Sequence, residues 1–465
     1  MNTLFRALGE DVAVQKIHEA LQKTGGSTFV YGLSGSQKHA VYASAFETAP
    51  RPTVVLVHNR EAMDGWCENL AALLPDVTVL ELPEVDAAGE EIAASAKSLE
   101  RSSRRMDVLG RLLRGENLIV LSTMVAAAAK GMSRGDFERL SLRIGTGDDV
   151  GLRKLIGSLA DLGYARVEEV ESMGQFSARG GIVDVFPINR TAPVRIEFFD
   201  DEVDSLREFD LETKRSQRNI GAVSILPLAR TDAKGRPALF LSYLKGNGTV
   251  LFDEPTRLRE ELRTMVKENP DIKKHIFSWE DLLEEAEHNN VVFSALMLQQ
   301  IHGAEPDATI SITVTNMTPF QRQMDLFTGE LSRYLAAKER ILILLSTKEK
   351  ANGLREMLAK RRLPSSVMDE GAELSEKRIT IQTGLLLSGF ELASDRLVVM
   401  TEKDIFGHVK RRIAKSAPEG EKISHFRDIK PGDYVVHVNH GIGKYVGVVT
   451  LEVGGVRRDY LHIKY

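Results

Sequence analysis

Thr28-Phe29-Val30-Tyr31-Gly32-Leu33-Ser34-Gly35-Ser36-Gln37-Lys38-His39 reads as an apolar strand, a Gly/Ser turn and the opening of a helix. Upstream, Val12, Val14, Ile17 and Leu21 fall near one face of a predicted helix over 11–23. Downstream the alternation repeats: a strand over Thr53–His58, a helix through Trp66 and Leu74, and a strand over Val77–Leu82. A helix over Arg104–Arg114 and a strand over Leu118–Ser122 continue it. Short β runs separated by helices imply a parallel, doubly wound sheet, because parallel neighbours need a crossover between them.

The period changes after Ala126. Val150–Leu162 reads as a helix, and the segments around Phe176–Pro187, Val194–Phe199 and Val203–Asp210 read as successive strands, so a smaller α+β domain is expected as an insertion. The opening pattern resumes at Thr249–Phe252, with a charged helix over Thr256–Lys267, which makes the first domain discontinuous in sequence. A further small α/β segment follows, with strands Arg340–Ser346 and Leu397–Thr401 around a helix Lys348–Lys360. Lys410–Glu421 reads as a linker. Beyond it, Asp433–Val438, Lys444–Glu452 and Val456–Lys464 are strand-like, the last two joined across Gly454-Gly455, a pair suited to a tight hairpin. These three runs should begin a small SH3/Tudor-like β-barrel left unfinished at Tyr465, the expectation for a piece of a longer protein. The fold class is thus multidomain α/β. A degenerate P-loop-type parallel domain is expected over 1–126 and 223–315, with an inserted α+β domain over 127–222. A small α/β domain over 316–412, a linker over 413–428 and the barrel from 429 to 465 complete the expected order.

With 465 residues, 43% hydrophobic and 27% charged, the chain is too long for one core and too apolar for disorder. A single cysteine, Cys67, excludes an internal disulfide. The start MNTLFRALGEDVAVQ carries acidic residues where a signal peptide needs an apolar stretch, and no run approaches a membrane span, so a cytoplasmic protein without membrane contact is expected. A net charge of −5 argues against a dominant nucleic-acid surface, since counterion release needs clustered cations. The basic runs Lys360-Arg361-Arg362 and Lys410-Arg411-Arg412 read as a solvated helix end and part of the linker.

The Gly32–His39 turn occupies the place of a phosphate-binding loop but lacks its chemistry. Gln37 stands where a glycine lets backbone amides wrap phosphate, and His39 stands where a Ser or Thr hydroxyl would ligate magnesium. Val250-Leu251-Phe252-Asp253-Glu254 has the form of the acidic strand that completes a motor site. Gly32, Gly35, Lys38, Asp253 and Glu254 are therefore expected to be a non-functional relic, kept for its shape. The alternative is residual phosphate binding by Lys38 and the loop amides. No metal-ligand spacing, thiolate cluster or nucleophile elbow occurs, so no catalytic residue, metal or cofactor is assigned to this chain.

Two longer stretches carry a resemblance. Gln175-Phe176-Ser177-Ala178-Arg179-Gly180-Gly181-Ile182-Val183-Asp184-Val185-Phe186-Pro187 is followed by Val194-Arg195-Ile196-Glu197-Phe198-Phe199-Asp200-Asp201-Glu202-Val203-Asp204-Ser205-Leu206-Arg207. Together they resemble the UvrB-homology region of the bacterial transcription-repair coupling factor family. Pro431-Gly432-Asp433-Tyr434-Val435-Val436-His437-Val438-Asn439-His440-Gly441-Ile442-Gly443-Lys444-Tyr445 resembles the opening of that family's RNA polymerase-interaction domain. The resemblance covers essentially the whole chain and is weakest over 316–412. It implies UvrB-like domains over 1–315 and a scaffold that binds the RNA polymerase β subunit and UvrA during nucleotide excision repair. ATP, magnesium and translocation on double-stranded DNA are implied for a motor beyond Tyr465, and a monomer is expected. By position in the family motifs, Arg179, Arg195 and Phe199 are the expected UvrA contacts and Leu451 the expected polymerase contact. Both arginines are expected to be exposed, so that replacing the two by Glu costs little stability, and Phe198 is expected in the core; the alternatives are Arg195 paired with Asp184 or Glu197 with Phe199 buried, and Leu451 facing the barrel core. UvrB's aromatic-rich hairpin has no counterpart here, since Glu81–Arg105 holds no aromatic residue. Two other readings are an active nucleotide-dependent motor, which needs phosphate at Lys38, and a polymerase-binding transcription regulator, which leaves the 175–207 run without a role.

Overall fold

A computed structural model describes residues 3–84, 96–228, 236–369, 371, 373–407, 434–437, 441–453 and 456–464. The chain divides into two units, Met1–His408 and Val409–Tyr465. The first unit is organised by three sheets. Its opening sheet has seven strands in the order Ala308–Ser311, Ser27–Tyr31, Asn290–Ala295, Thr249–Asp253, Thr53–Val57, Ile119–Thr123 and Val79–Glu81. Every pairing in it is parallel. Strands Thr53–Val57, Thr249–Asp253 and Asn290–Ala295 are buried at every position, as a parallel sheet covered on both faces requires. The pleat sorts their side chains into two cores. Phe29, Val54, Leu56, Val250, Phe252 and Phe293 join one, while Val30, Val55, Val57, Leu251 and Val292 join the other. The strands at 249–253 and 290–295 lie between Ser27–Tyr31 and Thr53–Val57, so the centre of this sheet waits on late sequence.

Between Ile119–Thr123 and Thr249–Asp253 the chain leaves through a two-stranded antiparallel neck, Leu142–Gly145 paired with Ala222–Ile225. The neck carries a six-stranded sheet in the order Ser216–Asn219, Glu202–Phe209, Val194–Phe199, Ile182–Val185, Gln175–Arg179, Ala165–Arg166. Its pairings are antiparallel except the last. Phe176, Val183, Val185, Val194, Ile196, Val203 and Leu206 point inward, in one core with Leu155 and Leu159 of helix Leu152–Asp161. The alternate residues form the sheet's outer face.

The third sheet runs Val314–Asn316, Phe390–Leu392, Leu397–Thr401, Arg340–Leu345, Ile379–Thr383, Ser365–Val367. Leu342, Leu344, Leu397 and Val399 on one face share a core with Leu4, Phe5 and Leu8 of the opening helix Thr3–Leu8 and with Val55 and Val292 of the first sheet. Helix Val12–Gln22 is capped by Asp11, whose carboxylate accepts the Ala13 and Val14 amides. It buries Val14, Ile17 and Ala20 but leaves Val12 64% exposed, a correction to the expected apolar face: Val12 is the first helical residue and is rotated away from the core. None of the helices among the described residues is long and apolar enough to cross a membrane.

In the second unit, Tyr434–His437, Gly441–Val453 and Val456–Lys464 form a three-stranded antiparallel sheet with a bulge between Tyr445 and Gly447. The expected linker over 413–428 and the Gly454-Gly455 turn lie outside the described residues.

Candidate functional site

At the carboxyl ends of the first sheet, the turn after Ser27–Tyr31 is tighter than a phosphate loop. Ser34 is already the residue capping helix Gly35–Thr48, so Gly35 to Lys38 form its first turn. A loop that cradles phosphate keeps those amides arched around the anion. Gly32 adopts a φ of +102°, and a Cβ there would meet the Ile312 carbonyl oxygen at 1.8 Å. This glycine is required by packing. Gly35 is likewise left-handed, with φ +53°.

Lys38 and Asp253 come together as an ion pair, Nζ to Oδ1 2.5 Å, with side chains 9% and 1% exposed. Trp66 Nε1 donates to the second carboxylate oxygen at 2.8 Å. The His39 ring lies 4.3 Å from Trp66, and Asn69 Nδ2 is 2.6 Å from His39 Nδ1. A loop of the third sheet covers this cluster. The amide of Leu387 donates to Asn69 Oδ1, that of Ser388 donates to Ser36 Oγ, and Asn316 Nδ2 reaches Ser34 Oγ. Glu254 stands apart from the lysine and accepts the Leu296 amide at 3.0 Å. Of the five residues in the expected relic, Lys38 and Asp253 thus meet directly while the glycines and Glu254 shape the turns. Trp66, Asn69 and Ser388, which complete the cluster, carry no sequence signal of their own. Burial and then Glu81 push the Cys67 thiol up to about 12, away from the thiolate form.

Burial, and then the charge of Lys38, hold the His39 pKa well below its ordinary 6.5. The unfolded chain therefore takes up a proton as pH falls through 6.5 while the native chain does not, and stability declines below that pH. One such group contributes a slope of at most about 1.4 kcal/mol per pH unit. His39→Gln should flatten the loss measured by urea unfolding between pH 7 and 5, leaving what His18 and His58, also lowered by burial, contribute. An unchanged slope would show that His39 is protonated in the folded state.

The outer face of the six-stranded sheet brings Arg179, Arg195 and Phe199 onto one surface. The hairpin closes on Gly180-Gly181, with Gly180 at φ +59°, and pairs Arg179 with Ile182. The positive φ at the first central position is what a tight two-residue hairpin of this kind demands. Ile182 in turn faces Glu197, and Asp184 faces Arg195. Phe199 is 79% exposed. Phe198 turns inward and is half-buried against the core. Arg195 differs from expectation. Its Nε and Nη2 donate to both oxygens of Asp184 at 2.7 and 2.8 Å, and its guanidinium lies 4.9 Å from the Phe209 ring centroid. That side chain is 25% exposed and held, so replacing it by Glu would set two carboxylates together on neighbouring strands, and the expected neutral cost in stability does not apply. Arg179 donates to the Glu168 carbonyl. Among the described residues no carboxylate pairs with it. Glu197 is occupied by Arg207 and Ser205. Leu451 lies opposite Arg458 on strand Gly441–Val453, and its side chain is outside the described part.

Residues 142–230 match the family described as UvrB interaction domain, a span that opens on the first neck strand and closes just past the second. Residues 429–465 match the CarD-like/TRCF RID domain. The transcription-repair-coupling factor of Bacillus subtilis (strain 168) is 27% identical over 97% of this chain and 44% of its own length. That of Staphylococcus epidermidis (strain RP62A) is 27% identical, covering 98% and 45%, and that of Staphylococcus aureus (strain bovine RF122) 26%, covering 100% and 46%. The chain spans less than half the length of these curated relatives. A solved DEAD box protein from Methanococcus jannaschii aligns with a TM-score of 0.28 at 11% identity, covering 82% of this chain and 78% of that one, a likeness too low to carry an argument.

Proposed function

We infer from the chain's homology to the N-terminal part of transcription-repair coupling factors that it is the adaptor portion of such a factor, joining RNA polymerase to UvrA. The observation that carries this reading is the outer face at Phe199. A phenylalanine left 79% exposed on the same sheet face as Arg179 is what a docking site offers. The polymerase side is assigned to the RID match at 429–465, with the β subunit as its partner. The Lys38–Asp253 pair supports a fold that no longer binds nucleotide, so this chain is proposed to have no ATPase of its own. In the whole protein, ATP-driven translocation would fall to segments beyond this chain.

The test is direct: immobilise the chain and pass UvrA and RNA polymerase over it separately. The reading expects saturable binding of each, and binding of neither would end it. Leu451→Arg should lower polymerase affinity about tenfold or more while leaving UvrA binding unchanged, since a central apolar contact replaced by a charge loses its desolvated partner. Polymerase affinity unaltered by Leu451→Arg would take this residue out of the interface.

A further inference from the structure

Ile182 stands at the centre of the three residues assigned to the docking face. It is the direct cross-strand partner of Arg179 on one side and of Glu197 on the other. Glu197 lies between Arg195 and Phe199 on its strand, so both of these are diagonal neighbours of Ile182, within reach of long and aromatic side chains. Ile182 is 38% exposed and shares the face with the exposed Phe199 and with the Arg195–Asp184 and Arg207–Glu197 ion pairs. A Cβ added at Gly180, in the hairpin turn before it, would meet nothing within 4 Å.

The charges divide unevenly around this centre. Asp184 already neutralises Arg195, and Arg207 neutralises Glu197. Arg179 is bonded to a backbone carbonyl and has no carboxylate partner among the described residues, so its charge is open to be matched from outside. We propose that Ile182 is the central apolar anchor of the docking face, filling with Phe199 one apolar hollow on the partner protein, whose rim places a carboxylate at Arg179. Asp184 is a positioning residue that holds Arg195 over the Phe209 ring and lines the wall of the same surface. Binding hot spots gather at the desolvated centre of an interface, within a ring of neutral contacts, and the Asp184–Arg195 and Glu197–Arg207 pairs supply that ring.

This inference rests on the reading of the face as the UvrA contact, and the experiment separates the two. UvrA is titrated against the chain and its variants Ile182→Ser, Ile182→Thr, Ile182→Val and Phe199→Ala, each checked by thermal unfolding. Ile182→Ser and Ile182→Thr are expected to weaken UvrA about tenfold or more, and Ile182→Val to keep nearly full affinity because it preserves the apolar branched surface. Ile182→Thr retains the β-branched shape, so it reports binding even if Ile182→Ser perturbs the strand. Wild-type affinity in Ile182→Thr together with loss in Phe199→Ala would overturn the anchor and leave the docking reading intact. Wild-type affinity in Phe199→Ala and Ile182→Thr alike would overturn both.

Discussion

Lys38→Ala is expected to destabilise the first unit by about 3–5 kcal/mol, the usual cost of stranding one member of a buried ion pair. The variant leaves the Asp253 carboxylate 1% exposed with Trp66 Nε1 as its remaining described hydrogen-bond donor. A double replacement, Lys38→Met with Asp253→Leu, should recover most of the loss, since two apolar groups of similar volume need no solvation. Urea unfolding of the three variants measures this. Magnesium-dependent ATP binding by the parent chain, abolished by Lys38→Ala with less than about 1 kcal/mol lost in stability, would instead make Lys38 a phosphate ligand, because an exposed surface lysine costs little to remove.

Phe199→Ala is expected to weaken UvrA by about 2 kcal/mol or more, roughly a thirtyfold fall in affinity, with the thermal midpoint unmoved. The ring contributes little to the fold because 79% of it is in water, so its burial is available to a partner. Arg179→Gln should act in the same direction and also make binding less sensitive to salt than in the parent, since the matched charge is gone. Arg195→Glu is a poorer probe: it removes a bidentate pair and places a second carboxylate beside Asp184. Unchanged UvrA affinity in Phe199→Ala would remove the face from the interface.

The strand–turn–helix opening was legible because periodicity changes from two to 3.6 across a Gly/Ser turn, and Val194–Phe199 and Lys348–Lys360 were legible to their terminal residues for the same reason. Val12 was misplaced because periodicity sets a face without saying where along it a helix begins to touch the core. At the docking face, alternation put Arg195 and Phe199 together, but the one strand read over Phe176–Pro187 is two strands turned at Gly180-Gly181, which sets Ile182 opposite Arg179. Alternation left Asp184 and Glu197 as alternative partners of Arg195, and the register that selects Asp184 is a tertiary fact. The cluster around Lys38 was half legible. Its lysine and aspartate stand in motif positions, but Trp66 and the Leu387-Ser388 loop arrive by packing of separate elements.

Size-exclusion chromatography with light scattering on the chain mixed with UvrA and RNA polymerase shows whether one chain joins both partners. One co-eluting species that holds all three is expected, reduced by Phe199→Ala to chain and polymerase alone. Elution of UvrA and polymerase in separate chain-bound peaks, each displacing the other, would contradict it.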